Sequence, residues 1–392
     1  MSLKTGVAIV GAGPAGLLLG NILIDHGIDC VILERNSRER IESRARAGLI
    51  EDSAVQELTK RNLADRLRAE GTPHDSCEFR IGGRRHIAQY GQLAGDRNHY
   101  VYPQQELVKD MVAAFLHKGG ELYFEAPVTA ISKIDSRRPR VRAEVNGKNQ
   151  LVKCDVIAGC DGFHGVARDS APKGAATVYE YEHRHGWVAV LASAPPSTQK
   201  IIYALHQDGF AGHMLRSSTV SRYYLQCPAG DQVEDWPDDR IWSQLRHRLA
   251  TDDDWSLQDG PVVEKNILEM RSWVTEPMQF GKLYLAGDAA HILTPAGAKG
   301  MNLALGDARE LALGLVEHYH KADSTRLKAY SATRLAAVWR AQEFSNSLLD
   351  LLHGTGVEGL PVPFADRLRR AAIEQITGEG PRARSFADSY VG

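Results

Sequence analysis

A glycine-rich turn between two apolar segments near the start of the chain constrains the fold more than any other feature. The β-branched run 7–10 leads into three glycines in G-x-G-x-x-G spacing, followed by a helical pattern and a second apolar strand. Gly11 predicts a tight turn, Gly13 the close approach of a pyrophosphate, and Gly16 close packing of the helix on the strand. The segment therefore predicts a parallel βαβ unit.

Two further elements of this unit have the chemistry of a nucleotide site. The helix that follows Gly13 directs free N–H groups and the positive end of its dipole at an anion. Glu34 ends the second strand, 23 residues after Gly11, where a carboxylate accepts ribose hydroxyls. A glycine-rich turn without a ligand does not explain that acid, so we predict binding of an adenine dinucleotide.

Two later segments repeat the theme of a carboxylate at the end of a strand. In the first, an apolar strand runs into Asp161-Gly162 and a helix start; in the second, a strand ends at Gly287-Asp288 and another helix follows. Each dipeptide alone is a common turn. A carboxylate at a strand end binds sugar-like hydroxyls, and a helix N-terminus can face an electron-rich ring.

Composition and charge argue against several classes of protein. The 392 residues are 43% hydrophobic and 24% charged, with a formal net charge of −2, so neither nucleic acid nor a membrane is an expected partner. No apolar run reaches the roughly 18 residues of a membrane span. The N-terminus leads almost directly into the first strand without a secretory leader, and a cytoplasmic location is expected.

Cysteine and histidine spacing predicts neither a disulfide framework nor a metal site. The five cysteines are scattered and never in C-x-x-C spacing. Cys30, Cys154 and Cys160 fall within or beside apolar strands and are predicted to be small buried apolar residues. The pairs His183/His185 and His318/His320 lack a third ligand at a recognisable distance along the chain.

The three motifs, in this order, resemble those of the flavoprotein aromatic hydroxylases (class A flavin monooxygenases). In that family the first motif holds the ADP half of FAD, the Asp-Gly motif serves FAD and the nicotinamide cofactor, and the Gly-Asp motif holds the ribityl chain. The resemblance implies an α/β fold in which a Rossmann-like FAD-binding domain is interleaved with a mostly antiparallel substrate domain, ahead of a C-terminal helical segment.

The alternation of patterns along the chain fits this organisation. We assign residues 1–71, 102–175 and 281–345 to FAD binding, 72–101 to hairpins of the substrate domain, 176–280 to the substrate domain itself, and 346–392 to the helical segment. Composition alone predicts that residues 378–392 fray.

The resemblance is strongest to the members of this family that hydroxylate 4-hydroxybenzoate, and it runs nearly end to end. The segments that carry it are Arg46-Ala-Gly, Gly159-Cys-Asp-Gly-Phe-His-Gly, Arg222-Tyr-Tyr, Val233-Glu-Asp-Trp, Glu276-Pro-Met-Gln, Ala286-Gly-Asp-Ala-Ala-His, Gly297-Ala-Lys-Gly and Tyr390-Val-Gly. It implies conversion of 4-hydroxybenzoate to 3,4-dihydroxybenzoate with NAD(P)H and O2, through a flavin C4a-hydroperoxide, in a homodimer.

By the same resemblance, Arg216 binds the substrate carboxylate, as its planar guanidinium suits, with Tyr224 as a hydrogen-bonding neighbour. Tyr203 and Tyr390 withdraw the phenolic proton and pass it to His74. Histidine titrates near neutrality and can exchange that proton with solvent. The C-terminus is therefore expected to dock on the site. Pro295 and the following residue lie beside the flavin.

The resemblance also implies the cofactor-binding positions. They are Gly11, Gly13, Ala15, Gly16, Glu34, Arg35, Arg44, Arg46, Gln104, Asp161, His164, Arg222, Arg271, Asp288, Lys299, Gly300, Met301 and Asn302. Arg222 matches an arginine that governs flavin position. The segment 35–40 matches the selector for the 2′-phosphate, and its three arginines favour NADPH, with NADH use left open by Glu39 and Arg40.

Two substrate-site residues depart from the family pattern. Met214 replaces a serine that also bonds the carboxylate, and Ala296 replaces a threonine beside the flavin. A related para-substituted benzoate is therefore an alternative substrate. A flavin-dependent reductase or epoxidase of lipids, and a flavin-binding sensor of aromatic acids, are further alternatives. Arg216 argues against the lipid reductase or epoxidase, and the pair Tyr203 and Tyr390 argues against the sensor.

Overall fold

The computed structural model describes residues 2–44, 48–354 and 360–392. Its strands are β1 Ser2–Lys4, β2 Val7–Val10, β3 Cys30–Leu33, β4 Leu49–Glu51, β5 Thr72–His74, β6 Cys77–Ile81, β7 Arg84–Ala88, β8 His99–Val101, β9 Glu121–Tyr123, β10 Val128–Ser132, β11 Arg140–Val145, β12 Lys148–Lys153, β13 Val156–Gly159, β14 Thr177–Ala192, β15 Ile201–Leu205, β16 Ala211–Leu215, β17 Ser221–Pro228, β18 Val262–Glu276, β19 Gln279–Phe280, β20 Leu283–Leu285 and β21 His291–Ile292. Its α-helices are α1 Pro14–Asp25, α2 Arg38–Ser43, α3 Asp52–Lys60, α4 Asp65–Glu70, α5 Tyr90–Leu93, α6 Gln104–His117, α7 Asp238–Arg248, α8 Lys299–Lys321, α9 Thr325–His353, α10 Val362–Ile376 and α11 Pro381–Val391.

A mostly parallel six-stranded sheet brings the three motifs to one edge. Its order is β19-β20-β13-β2-β3-β9, and β20, β13, β2 and β3 are parallel neighbours. All residues of β2 and β3 are buried, as expected for strands covered on both faces. The carboxyl ends of these four strands carry all three motifs, where ligands bind in open α/β sheets.

A second, eight-stranded sheet forms the other half of the molecule. Its order is β21-β18-β14-β17-β16-β15-β6-β7, antiparallel except for the parallel pair β15 and β6. The predicted mostly antiparallel sheet is confirmed, and β6 and β7 pair as a hairpin. The remaining strands of 72–101, β5 and β8, instead pair with β4 in a small three-stranded sheet.

The two faces of the eight-stranded sheet pack into different cores. Alternation along β15 and β17 places Tyr203 and Tyr224 in one cluster with Tyr390, and Ile202 and Tyr223 in the other with α7. A third and larger core surrounds the six-stranded sheet. All five cysteines are buried, including Cys30, Cys154 and Cys160, for which burial was predicted.

The C-terminal segment is a docked helix, as the resemblance implied and composition did not. Helix α11 begins with Pro381, a residue favoured at a first helical position. Arg97 holds its far end by contacts to the Asp388 carboxylate at 2.7 Å and the Gly392 carbonyl at 2.8 Å. The expected boundary between residues 345 and 346 falls inside α9. Of the helices in the described ranges, none has both the length and the apolarity of a membrane span.

Candidate active site

The glycine-rich turn has the geometry that its spacing predicts. Gly11 has a φ of +101°, and a Cβ there would lie 2.4 Å from the Cys160 carbonyl oxygen. A Cβ on Gly16 would lie 2.0 Å from the Gly11 oxygen, so helix α1 packs directly on the turn. A Cβ on Gly13 would meet no atom within 4 Å. The turn is therefore closed on its protein side and open on the side where a pyrophosphate would approach.

Glu34 directly follows β3 and is a buried carboxylate held by main-chain donors. Its Oε2 accepts the Ala12 N–H at 2.8 Å, and its Oε1 accepts the Asn36 N–H at 2.8 Å. Oε1 also accepts a hydrogen bond from the Asn36 side-chain amide at 2.7 Å. These contacts orient the side chain toward the turn and leave acceptor capacity on Oε2. Gly11, Glu34 and Asp161 line one small cleft.

The Asp-Gly loop lies against the first motif. Asp161 Oδ2 accepts the Ala167 N–H at 2.9 Å, and its Oδ1 has no partner within the described residues. Burial raises the pKa of Asp161, against the lowering effect of the Ala167 N–H. Arg35 donates to the His164 carbonyl oxygen at 3.1 Å. The structure thus brings Arg35 to the loop that carries Asp161 and His164, more than 120 residues further along the sequence.

The Gly-Asp loop is organised by a residue that the sequence interpretation missed. Asp307 in α8 is fully buried; its Oδ2 accepts the Gly287 N–H at 2.9 Å and contacts His291 Nε2 at 2.7 Å. Arg334 donates to Oδ1 at 2.6 Å. Burial acts to raise the pKa of Asp307, but the charges of His291 and Arg334 lower it overall. An ionised Asp307 therefore positions the loop that carries Asp288.

Helix α8 begins at the predicted position. In its first turn the side chains bind neighbouring elements, while the main chain is accessible. Lys299 Nζ donates to Glu51 Oε1 at 2.6 Å and to the Tyr390 carbonyl oxygen at 2.9 Å. Asn302 Oδ1 accepts the Glu51 N–H at 3.0 Å. A Cβ on Gly300 would meet no atom within 4 Å. The side chains of Lys299 and Asn302 thus tie β4 and α11 to the helix, while the main chain around Gly300 and Met301 stays open.

These features fit FAD. The turn is open at Gly13, carboxylates stand at three strand ends, and a helix N-terminus is open at Gly300. Main-chain N–H groups at a helix N-terminus suit a pyrophosphate or the electron-rich edge of a flavin. The described residues therefore supply both anion-binding and hydroxyl-binding groups along one sheet edge.

Tyr203 and Tyr390 form a buried hydrogen-bonded pair. Their hydroxyl oxygens are 2.7 Å apart, although the residues are separated by 187 positions. The Tyr203 ring stacks on Phe79 and the Tyr390 ring on Phe386. Burial raises the pKa of both phenols, so both are neutral at physiological pH and each can donate and accept a proton.

The sheet face beside this pair carries the other predicted substrate residues. Tyr203 and Tyr224 are cross-strand neighbours of Gly212, and Met214 lies opposite Arg222. Because directly opposed residues share a face, these side chains point to the same side of the sheet. Arg222 is buried, and Tyr224 and Met214 are half-buried.

Arg216 follows β16 and is buried, with 8% of its surface exposed. The main-chain N–H of Arg216 donates to the Val220 carbonyl oxygen at 3.0 Å, which closes the turn into β17. Burial lowers the pKa of Arg216 to about 10, and the charge of Arg222 adds to this effect. The side chain remains a cation at neutral pH, held where a carboxylate would relieve the cost of burying charge.

His74 ends β5 near the tyrosine pair without bonding to it directly. Burial, with a contribution from the Lys200 charge, lowers the pKa of His74, while Asp75 opposes this. Tyr90 donates its hydroxyl proton to the His74 carbonyl oxygen at 3.1 Å, and the Tyr90 ring lies 4.8 Å from that of Tyr390. A buried aromatic cluster therefore separates His74 from Tyr390.

The other predicted nicotinamide-site arginines are more scattered. Arg271 donates to Glu182 Oε1 at 2.7 Å, and its guanidinium lies 5.3 Å from the centre of the Phe163 ring, beside His164. Arg44 is exposed at the end of α2. Arg46 lies outside the described residues.

The predicted positions around the flavin edge also differ in exposure. Gln104, the first residue of α6, is half-buried, and Ala15 is buried in α1. Pro295 is exposed, whereas Ala296 is buried and its carbonyl oxygen accepts the Ser345 hydroxyl at 2.9 Å.

One cluster of potential metal ligands lies away from these elements. His206, Asp208 and His247 place their ligand atoms within 4.8 Å of one another. His247 Nε2 contacts Asp208 Oδ2 at 2.8 Å, and Asp208 and His247 are exposed. Sequence spacing could not indicate this group, because His247 comes from α7. The contacts are those of a surface histidine–aspartate pair.

Comparison with known proteins agrees with this architecture. A family model described as an FAD-binding domain matches residues 4–345. The chain is 40% identical over 391 residues to a p-hydroxybenzoate hydroxylase of Acinetobacter baylyi, covering 100% of this chain and 96% of that protein. It is 24% identical over 316 residues to a 3-(3-hydroxy-phenyl)propionate/3-hydroxycinnamic acid hydroxylase of Escherichia coli, covering 78% of this chain and 54% of that protein.

Solved structures show the same fold at low sequence identity. A p-nitrophenol 4-monooxygenase of Pseudomonas putida superposes with a TM-score of 0.80 at 19% identity, covering 100% of this chain and 99% of that one. A Diels-Alderase of pyrroindomycin biosynthesis superposes with a TM-score of 0.81 at 20% identity, covering 99% and 80%.

The fold and the three motifs define a flavoprotein that binds FAD. More particularly, the chain belongs to the class A flavoprotein aromatic hydroxylases and is an FAD-dependent aromatic monooxygenase.

Proposed function

We propose that this enzyme hydroxylates 4-hydroxybenzoate beside its hydroxyl group and forms 3,4-dihydroxybenzoate. NADPH supplies a hydride, which amounts to two electrons and one proton. One atom of O2 enters the ring. The other atom is released as water, with the proton from the hydride and one proton from solvent. The observation that carries the proposal is the buried pair Tyr203 and Tyr390, with hydroxyls 2.7 Å apart, on the sheet face that adjoins Arg216.

Arg216 supplies the charge that a benzoate needs. It is buried, it remains cationic, and its guanidinium presents a planar fork of donors. A carboxylate bound there forms charge-assisted hydrogen bonds that are stronger than neutral ones. This anchor favours an aromatic acid over a neutral lipid as the substrate.

The tyrosine pair supplies a path for the phenolic proton. A neutral Tyr203 can donate a hydrogen bond to the phenolate oxygen and pass the withdrawn proton to Tyr390. An ordinary phenol titrates near pH ~10, so a network that favours the phenolate makes the ring carbon beside the oxygen more nucleophilic. A binding protein that only senses aromatic acids has no need of such a path.

Bound FAD would supply the reduction by NADPH and the activation of O2. The residues proposed to hold it are the glycine-rich turn, open at Gly13, together with Glu34, Asp161, Asp288, Arg222 and the first turn of α8. The positive end of the α8 dipole would stabilise negative charge on the reduced ring. The chain's own part is to orient the benzoate, exclude water and move the proton.

NADPH is proposed as the electron donor, as is usual for this family. Arg35, Arg38 and Arg40 are exposed around the start of α2, where guanidinium groups suit a 2′-phosphate. Arg38 is paired with Glu42 at 2.7 Å. A comparison of kcat/KM for NADPH and NADH measures this preference.

The proposal is tested by measuring oxidation of NADPH by the purified, FAD-loaded enzyme with and without 4-hydroxybenzoate. Chromatography of the products identifies 3,4-dihydroxybenzoate if the proposal is correct. Stimulated oxidation without hydroxylated product would contradict the proposed substrate, and a panel of para-substituted benzoates would then identify the alternative.

Met214 is predicted to limit affinity for the carboxylate. Met214→Ser adds a hydroxyl donor on the strand position opposite Arg222, and one added hydrogen bond contributes about 1 kcal/mol. The dissociation constant of 4-hydroxybenzoate should therefore fall about fivefold, as measured by the change in flavin absorbance on titration. Met214→Ala, which adds no donor, is the control; equal gains in both variants would show that bulk alone is responsible.

A further inference from the structure

A buried histidine that none of the steps above uses lies against Tyr390. His99 in β8 is fully buried, and its ring centre is 5.0 Å from that of Tyr390 at an interplanar angle of 78°. The Tyr90 ring packs on the same histidine at 5.5 Å. His99 is therefore part of the wall that encloses the tyrosine pair.

The three-stranded sheet places this histidine beside His74. Glu51 of β4 lies opposite His99, and His99 lies opposite His74 of β5. Side chains directly opposed across strands share a face, with Cβ atoms about 5 Å apart. Glu51, His99 and His74 thus form one row, and Lys299 is bonded to the Glu51 end of it.

The charges around this row favour a neutral His99. Burial lowers the pKa of His99 well below its ordinary value, and Lys299 and then His74 add to the effect, against the main chain of Tyr390. A neutral imidazole has one acceptor nitrogen and one donor nitrogen. The Lys299 charge disfavours a proton that stays on His99, so a proton reaching it is directed onward.

The nitrogens needed for a transfer are available. Three ring nitrogens make no hydrogen bond of standard geometry to any residue that the structure describes: both nitrogens of His99 and the Nε2 of His74. Buried polar atoms of this kind are normally satisfied by ordered water. A bridging water can join two groups that ring contact alone leaves apart.

We propose that His99 is a relay residue that carries the phenolic proton from Tyr390 to His74. The inference rests on the proposed function. The substrate gives its phenolic proton to Tyr203, and Tyr203 gives its own hydroxyl proton to Tyr390. Tyr390 then gives its hydroxyl proton to the acceptor nitrogen of His99. The donor nitrogen of His99 gives its proton to His74. One O–H bond breaks on the substrate and one N–H bond forms on His74. His99 is left as its other neutral tautomer, and the two tyrosines regain their protons.

The titratable and charged groups that face this path are known. Around His99 they are Glu51, His74, Tyr90, Lys299 and Tyr390, and around His74 they include Asp75 and Lys200. The ring contacts of His99 are to Tyr90 and Tyr390, and in this proposal it acts through Tyr390 as a relay residue.

The test is the rate of proton release when the FAD-loaded enzyme is mixed with 4-hydroxybenzoate in weakly buffered solution containing a pH-indicator dye. His99→Gln keeps a polar side chain of similar size but cannot pass a proton between two nitrogens. Release should slow by about tenfold or more, while FAD content and the dissociation constant of the substrate change less than about twofold. Added imidazole should restore the rate in His99→Ala, an effect that a purely structural role would not produce.

His213→Gln is the matched control. His213 is also a buried histidine, 1% exposed, but its side chain lies on the other face of the eight-stranded sheet, where Nε2 accepts the Ser197 N–H. Proton release at the wild-type rate in His99→Gln, or equal slowing in His213→Gln, would overturn the relay. If His99→Gln does not retain FAD, His99→Asn takes its place with the same expected slowing. A wild-type enzyme that hydroxylates no benzoate and releases no proton would overturn the proposed function and the relay together.

Discussion

Arg216→Ala is expected to raise the dissociation constant of 4-hydroxybenzoate about a hundredfold. The substitution leaves a buried carboxylate without its counter-charge, and removing one partner of such a pair costs about 3 kcal/mol. Titration of the flavin absorbance measures the constant. Arg216→Lys should recover only part of the loss, because an ammonium group lacks the planar fork of donors.

Two controls show whether the loss belongs to the carboxylate. Arg248→Lys also changes an arginine that is 8% exposed, but it lies on α7, where it donates to the Gln226 carbonyl oxygen at 2.9 Å; its effect on substrate affinity should be small. The wild-type enzyme should bind the neutral amide, 4-hydroxybenzamide, more weakly than 4-hydroxybenzoate. The Arg216→Ala variant should bind the amide and the acid about equally well. Undiminished preference for the acid in Arg216→Ala would show that another group binds the carboxylate.

Tyr203→Phe is expected to lower the rate of product formation by about a hundredfold, while NADPH oxidation continues. Without the Tyr203 hydroxyl the substrate keeps its proton at neutral pH, and acid–base assistance of this kind contributes at least about 10²-fold. The ratio of 3,4-dihydroxybenzoate formed to NADPH consumed measures the effect. As pH rises toward the ordinary phenol range near ~10, product formation in the variant should recover, because solution hydroxide removes the proton.

Tyr223→Phe is the control for this prediction. Tyr223 is also a buried tyrosine on the same sheet, but it faces the other core and donates to the Gln258 carbonyl oxygen at 2.7 Å. It should retain wild-type coupling of oxidation to hydroxylation. A Tyr203→Phe variant that keeps full coupling at neutral pH would contradict a role of Tyr203 in proton withdrawal.

The FAD-binding half of the fold was predictable because its determinants are local. Gly11, Gly13, Gly16 and Glu34 lie within 24 consecutive residues, and their roles in the turn follow from φ, steric contact and strand ends alone. The order of the strands brings the later carboxylates, Asp161 among them, to the same edge, as the parallel arrangement requires.

The docked C-terminus could not be predicted from local composition. Polar and small residues around α11 suggest fraying, but Phe386 and Tyr390 are buried by partners almost two hundred positions away or more, such as Tyr203 and Phe79. The resemblance to aromatic hydroxylases supplied that expectation. The positions of Glu51 and His99, side by side on β4 and β8, were missed because strands of three residues carry no readable period.

Asp307 left a signal that could have been found. Along α8, Ala304, Ala308 and Leu311 define an apolar face, and residue 307 falls on the same side at i+3 from 304 and i−4 from 311. A charged side chain on a buried helix face requires a partner. Its partners, the Gly287 N–H, His291 and Arg334, show that the requirement is met by the loop of the third FAD motif.

The most direct test of the whole account is turnover of 4-hydroxybenzoate under ¹⁸O₂, with mass spectrometry of the product. The account predicts 3,4-dihydroxybenzoate that carries one heavy oxygen atom, formed with NADPH by the FAD-loaded enzyme and formed about a hundredfold more slowly by Tyr203→Phe at neutral pH. Unlabelled product, or consumption of NADPH without any dihydroxybenzoate, would contradict it.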